Sequence, residues 1–319
     1  MGEFFKGKTI AIIGGGLIGR SWAMVFASGG YRVKIYDIQA GQAQRAQEDI
    51  SKEMRKLQDS GFLRGLLSAE EQTSLISSHD DLKETLESAF FIQECIYENL
   101  FAKQEIFCAL ESHVADGVIL SSSTSCILPT NVFSKVKNRK RCIVSHPVNP
   151  PYYVKLVELV PHPETDSTVV DLTYNMMKEV GQSPVRLRRE IDGFALNRIQ
   201  YAVIAEAWRL VKDGILSVQD VDAVMSEGLG MRYAFVGPME TVHLNAEGLH
   251  QYFQQYGEGI KRVLSSFGPV PDFSDEELKK IDQEMCNWVP CDPQNLAARR
   301  ERRDRYILGL CQLKSKEPK

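Results

Sequence analysis

Residues 145–158 read SHPVNPPYYVKLVE and hold a histidine, His146, and a glutamate, Glu158. His146 closes one apolar stretch, RCIVSH, and Glu158 sits inside the next, KLVELV, after a Pro-Pro turn and two tyrosines. A histidine titrates near neutral pH, so it can both take and return a proton. A carboxylate on its second ring nitrogen would fix the tautomer and stabilise the imidazolium that forms. The same residues also fit a strand-end histidine held by a backbone carbonyl. What the rest of the chain brings to this point decides between the two.

The first half of the chain alternates strand-like and helix-like segments. KTIAIIG (8–14), RVKIYD (32–37), FFIQECI (90–96), VILSSST (118–124), RCIVSH (141–146), KLVELV (155–160) and PVRLRR (184–189) read as strands. Helical periodicity covers 17–30, about 40–60 with a charged continuation to about Ile76, and 99–113. Such repetition predicts a mainly parallel sheet with helices on both faces, a Rossmann-type α/β fold. From about Asp192 the pattern becomes wholly helical, in GFALNRIQYAVIAEAWRLVKDG, the Ser-capped SVQDVDAVMSEGLG, and segments near 245–267, 274–286 and 293–313. The expected division is residues 1–192, α/β, and 193–319, all-α.

Between the first strand and helix lies GGGLIG, which contains Gly14-x-Gly16-x-x-Gly19. Glycine turns of this spacing are common, but here the loop follows a strand, opens a helix, and is followed by a second strand ending in Asp37. Gly14 permits the turn, Gly16 lets the backbone approach a pyrophosphate, and Gly19 lets the helix pack on the strand. Phosphates then sit at the helix N-terminus, where free N–H groups and the dipole favour anions. Asp37 would accept from ribose hydroxyls and repel a 2′-phosphate, and Ile38 follows it in place of an arginine. The expected cofactor is NAD.

Ligands of open parallel sheets bind beyond the strand carboxyl ends. Those ends carry Tyr97-Glu98-Asn99, with Lys103 one helical turn on, then Ser121 to Cys126, and then Ser145-His146. Glu98 and Lys103 fit a cofactor contact and a surface pair equally, and most of the serine run fits a solvated loop.

The 319 residues are 43% hydrophobic and 25% charged, with a net charge of −4, which gives no global attraction to nucleic acid. No apolar run approaches the roughly 18–20 residues that span a bilayer. The seven cysteines include no CxxC pair and read as free thiols of a reducing compartment, and no secretory signal is legible, so the chain is expected to be cytoplasmic. The other histidines lack partners at ligand spacing, and no metal site is expected.

The stretches IGGGLIGRSWAMVFASGG, SSSTSC, SHPVNPPYYVKLVELVPHPET, GFALNR, AWRLV and SEGLGMRYAFVGPMETVHLNAEG resemble the 3-hydroxyacyl-CoA dehydrogenase family, over nearly the whole chain. The resemblance implies an NAD-dependent oxidation of a secondary alcohol. It places the catalytic histidine on His146, its partner on Glu158, the active-site serine on Ser125 and the asparagine of a GF-x-x-NR motif on Asn197. For NAD it implies backbone contacts at Leu17 and Ile18, with Asp37, Glu98 and Lys103. Ser125 and Asn197 would hold the substrate oxygen. The helical half resembles the family's dimerisation domain, which implies a homodimer.

Two departures bear on the small-molecule substrate. Arg232, in GLGMRYAFVGP (228–238), stands where acyl-CoA members carry an apolar segment, and SSSTSC stands where they carry an Asn-Thr-Ser run. An arginine can grip a carboxylate with two hydrogen bonds. A small hydroxy acid such as L-gulonate, oxidised at C3, is the expected substrate. A 3-hydroxyacyl-CoA, or a bulk structural role for the same fold, is the alternative, and Arg232 also fits a surface arginine.

Overall fold

The computed structural model describes residues 7–316. The chain divides into two compact units, Met1–Arg198 and Ile199–Lys319. In the first, β1 (Thr9–Ile13), β2 (Arg32–Tyr36), β3 (Ile76–His79), β4 (Ala89–Glu94), β5 (Ile119–Ser122), β6 (Cys142–Pro147), β7 (Leu156–Pro161) and β8 (Ser183–Arg186) form one sheet. Its order is β3-β2-β1-β4-β5-β6-β7-β8. The strands β1 to β6 are parallel to one another, β7 is antiparallel to β6, and β8 is parallel to β7.

The helices of this unit are α1 (Leu17–Ser28), α2 (Gln42–Asp59), α3 (Ala69–Ser74), α4 (Leu82–Leu86), α5 (Leu100–His113), α6 (Pro129–Val132) and α7 (Ser167–Glu179). They cover both faces of the sheet. Ile10 and Ile12 of β1 pack with Trp22 and Phe26 of α1, whereas Ala11 and Ile13 pack with Phe107 of α5 and Val132 of α6. A strand covered on both faces has no polar side to show, which is why TIAII is an unbroken apolar run.

Two elements depart from the pattern-based expectation. The helical stretch expected to continue to about Ile76 breaks after α2, and ISSH (76–79) is a strand. It lies at the sheet edge, where only one side is paired and a continuous apolar run is not needed. Helix α7, not anticipated by the strand reading, supplies the crossover that parallel β7 and β8 require.

Helix α8 (Leu196–Lys212) carries the chain from the first unit into the second. There follow α9 (Val218–Ala223), a π-helical stretch (Val224–Leu229), α10 (Gly230–Tyr233), α11 (Pro238–Leu244), α12 (Leu249–Ser265), α13 (Asp275–Trp288) and α14 (Pro293–Ser315). Ser217 caps α9 by accepting from the Asp220 N–H. Among the described residues of this unit no strand forms, and the buried apolar side chains are Val218 and Val221.

The β1–α1 turn shows why its glycines are needed. Gly14 has φ +111°, and a Cβ there would lie 2.7 Å from the Cys95 carbonyl oxygen. A Cβ on Gly19 would lie 1.9 Å from the Gly14 carbonyl oxygen. Both obstacles are backbone and cannot swing away. Gly19→Ala is therefore expected to destabilise the chain by about 1–3 kcal/mol or more, the range for overpacking. Chemical denaturation of the variant beside the wild type measures this, and an unchanged midpoint would contradict the packing described.

Candidate active site

β6 and β7 are joined by the proline turn, and their antiparallel register sets His146 directly opposite Glu158. Directly opposed residues share a face of the sheet, so their side chains meet. His146 Nδ1 lies 2.7 Å from Glu158 Oε2. The second carboxylate oxygen, Oε1, accepts from the N–H groups of Ala195 and Leu196 at 2.8 and 2.9 Å. These donors belong to the start of α8, where N–H groups have no partner within the helix. Glu158 thus closes a helix end and orients a ring with one carboxylate.

Both side chains are buried, His146 at 4% exposure and Glu158 at 1%. Burial pushes the Glu158 carboxyl up, but the hydrogen bonds from His146, Leu196 and Ala195 outweigh it, and the group ends below its usual value. An ionised carboxylate is an acceptor only, so Nδ1 carries a proton, and in the neutral ring the lone pair is on Nε2. Among the described residues Nε2 has no hydrogen-bond partner.

Phe194 completes the setting and is not singled out by the sequence. Its backbone has φ +49°, directly after Gly193 at φ +72°. A bulky residue with positive φ is held there by its surroundings. Phe194 is fully buried, and its ring meets that of His146 edge-on, with centroids 5.6 Å apart. The same turn delivers the Ala195 and Leu196 N–H groups to Glu158.

The loop after β5 carries Ser125, which is exposed and whose hydroxyl has no partner among the described residues. Asn197 Nδ2 donates to the Ser125 carbonyl oxygen at 2.7 Å, tying this loop to the first turn of α8. Glu98 grips the loop from the other side. Its Oε1 accepts from the Thr124 hydroxyl at 2.5 Å, from the Ser125 N–H at 2.9 Å and from the Cys126 N–H at 3.3 Å. Partial burial raises the Glu98 carboxyl, but the Thr124 bond, the Lys103 charge and the Ser125 N–H leave it below its usual value.

Lys103 is not a surface partner of Glu98. It is 1% exposed, and its ammonium donates to Glu94 Oε1 at 2.7 Å and the Ile96 carbonyl at 3.2 Å, and pairs with Glu98 Oε2 at 3.4 Å. Glu94 and Thr124 were legible only in outline. A carboxylate next to Gln93 inside the strand-like FFIQECI is the signal that marks Glu94.

On the cofactor side, a cleft of about 510 Å³ is lined by Gly14, Gly16, Asp37, Ile38, Tyr97 and Phe101, among others. The residues fit a dinucleotide. Gly16 caps α1 with no side-chain hydrogen bond, so the helix N–H groups are available, and a Cβ there would meet nothing within 4 Å. Leu17 and Ile18 form the first turn of α1 behind it. Asp37 follows β2, and its Oδ2 accepts from the Gly15 N–H at 2.7 Å while Oδ1 accepts from the Gln39 N–H at 2.9 Å. Each oxygen retains lone-pair capacity for a ribose hydroxyl. Asp37 also fastens the glycine loop, a second role that spacing alone does not reveal.

Arg232 lies in α10 of the helical unit, exposed and without an ion-pair partner among the described residues. Among the described residues no group of three His, Cys, Asp or Glu side chains could hold a metal ion, and no helix is long and apolar enough to cross a membrane.

Residues 9–191 match the family described as 3-hydroxyacyl-CoA dehydrogenase, NAD binding domain, and residues 193–281 match 3-hydroxyacyl-CoA dehydrogenase, C-terminal domain. The chain is similar to lambda-crystallin of Oryctolagus cuniculus, with 59% identity over 305 residues, 96% of each chain. It is 33% identical over 275 residues to the L-carnitine dehydrogenase/betainyl-CoA thioesterase of Ruegeria pomeroyi, covering 86% of this chain and 55% of that one. Among solved structures, the NAD+-dependent dismutase 5-formyl-3-hydroxy-2-methylpyridine 4-carboxylic acid 5-dehydrogenase superposes with a TM-score of 0.83. It is 23% identical, over 96% of this chain and 98% of that one, and shows the shared fold.

The depressed Glu158 carboxyl has a pH signature. A carboxyl held below its unfolded value contributes stability that is complete above the unfolded pKa, about 4.3, and is lost as pH falls through the lower folded value. Melting curves of wild type and Glu158→Gln should therefore be well separated above about pH 5 and converge in stronger acid. A separation independent of pH would show that Glu158 is not ionised in the fold.

Proposed function

Because this chain belongs to the 3-hydroxyacyl-CoA dehydrogenase family of NAD-dependent oxidoreductases, we propose that it oxidises the 3-hydroxyl of a small hydroxy acid, with L-gulonate as the specific substrate and 3-dehydro-L-gulonate as the product. The observation that carries this reading is the contact of His146 with Glu158, itself anchored on the start of α8. NAD+, when bound, supplies the hydride acceptor.

His146 Nε2 takes the proton of the substrate hydroxyl as the carbon–oxygen bond becomes a carbonyl. Nδ1–H stays on Glu158, so the imidazolium forms against a carboxylate already in place. In the reverse direction the same nitrogen returns the proton. The Ser125 hydroxyl and the Asn197 amide hold the substrate oxygen, which limits the orientations it can adopt. Gly14, Gly16, Gly19, Leu17, Ile18 and Asp37 hold the dinucleotide, and Glu98 and Lys103 shape the wall beside it. Cofactor binding and proton transfer fall to residues 1–192, and substrate selection and assembly to residues 193–319.

Three things support a small acid over an acyl-CoA. Arg232 is exposed and unpaired among the described residues, and is free to form two hydrogen bonds with a carboxylate. SSSTSC departs from the acyl-CoA pattern. One relative is named for L-carnitine, itself a small 3-hydroxy acid. The relative named lambda-crystallin favours a second reading, a bulk structural role, which is compatible with an intact catalytic pair.

The helical unit supports a homodimer. Ile199, Tyr201, Met231, Phe235, Phe253 and Leu264 are exposed while Val218 and Val221 are its buried apolar side chains among the described residues. Large apolar side chains exposed in this number favour a partner, and a second copy through a two-fold axis is the commonest one.

His146→Gln should lower kcat about 10²–10⁴-fold, the usual contribution of a positioned base. Arg232→Met should raise KM for L-gulonate about 10-fold or more, the loss of roughly 1.5–3 kcal/mol from a hydrogen bond to a charged group. NADH formation with L-gulonate beside a 3-hydroxybutyryl-CoA measures both. Full activity of His146→Gln would sink the mechanism, and unimpaired gulonate turnover by Arg232→Met would sink the substrate assignment. Sedimentation equilibrium should return a mass about twice the 36.0 kDa of one chain; a monomer at micromolar concentration would exclude the dimer.

A further inference from the structure

We propose that Glu94 is a positioning residue for this reaction: buried at the end of β4, it fixes the substrate-side Ser125 loop through Lys103 and Glu98. The inference rests on the reading of Ser125 and Asn197 given above.

Glu94 is fully buried, which pushes its carboxyl up against the pull of the Lys103 ammonium 2.7 Å away, and both of its oxygens are in use. Oε1 accepts from Lys103 Nζ and from the Ile96 N–H, each at 2.7 Å, and Oε2 accepts from the Ser122 hydroxyl at 2.6 Å. Lys103 has three N–H groups and three acceptors, Glu94, the Ile96 carbonyl and Glu98. An ammonium engaged in this way acts inside the protein. Its position fixes Glu98 Oε2, while Glu98 Oε1 collects Thr124, Ser125 and Cys126. Beyond Ser125 the chain of bonds continues through Asn197 into the first turn of α8, whose Leu196 N–H holds Glu158.

Stability alone does not explain a buried pair of this kind. Desolvation offsets most of its attraction, and an apolar pair of the same volume is often as stable. What the pair supplies is geometry. Charge-assisted hydrogen bonds are short and directional, so a loop hung from two carboxylates joined by one ammonium has little freedom to drift. Catalysis is sensitive to such drift: a displacement of about 1 Å can reduce the rate about 10²-fold.

Three variants of the full-length enzyme test this: Glu94→Gln, Glu94→Gln combined with Lys103→Met, and Thr124→Val. Each is followed by thermal melting, NAD+ titration and steady-state kinetics. Glu94→Gln leaves a buried ammonium with less compensation, and both its melting temperature and kcat should fall. The double variant removes both charges, so its melting temperature should recover while kcat stays about 10-fold or more below wild type, because the loop has lost its anchor. Thr124→Val leaves the buried pair intact and removes one bond of Glu98 to the loop; kcat should fall several-fold with NAD+ affinity unchanged.

Recovery of kcat together with melting temperature in the double variant would reduce Glu94 to a counter-charge and overturn the proposal. So would wild-type kcat in Glu94→Gln or in Thr124→Val. If Glu94→Gln does not fold, the other two variants decide. A wild-type enzyme that oxidises no hydroxy acid would overturn the functional reading instead, a result distinct from any of these.

Discussion

A carboxylate that accepts from a histidine on one oxygen and from two backbone N–H groups on the other has its place dictated by the backbone. Glu158 is in that position, and much of the first unit is arranged around it. The antiparallel pairing of β6 with β7 puts it across from His146. The left-handed turn at Gly193-Phe194 puts the start of α8 against it. The ring of Phe194 meets the imidazole edge-on. Had β7 continued the parallel run of β1 to β6, the short proline turn could not have joined it to β6, since parallel neighbours need a long crossover.

The unit uses one physical device at two helix starts. Free N–H groups at a helix N-terminus attract negative charge. At α1 the cap is a glycine with no side chain to satisfy those groups, and the cleft in front of it is shaped for a dinucleotide. At α8 the N–H groups are met from within by Glu158. The first end is left available for a ligand's phosphates, and the second is closed and holds the His146 ring through Glu158.

Much of this architecture was legible in the residues. Apolar stretches such as KTIAIIG and RCIVSH announced strands, and the glycine loop with Asp37 announced the turn and its cofactor. The expected pairing of His146 with Glu158 is met at 2.7 Å. Edge strand β3 was hidden because ISSH has neither apolar run nor alternation, and its strand character comes from pairing with β2. Of the two readings held open for Lys103, the surface pair with Glu98 does not hold, because Lys103 is buried. Burial of a lysine depends on where its acceptors lie, and β4 and the residues just after it bring Glu94 and Ile96 to this one. Phe194 was invisible as a site residue, since a positive φ on a phenylalanine is imposed by its surroundings.

The sequence by itself determined the chemistry available: a histidine, carboxylates, a glycine turn and the order of strands and helices. Side-chain types and local periodicity are properties of neighbours along the chain, and these residues carry them openly. Only the tertiary structure decided which oxygen of Glu158 faces the ring and that Asp37 fastens the glycine loop. It also decided that Glu94, Lys103 and Glu98 form one ladder to Ser125. Each of those facts is a contact between side chains or backbone groups of different elements or loops, and hydrogen bonds constrain distance and angle in space, not separation in sequence.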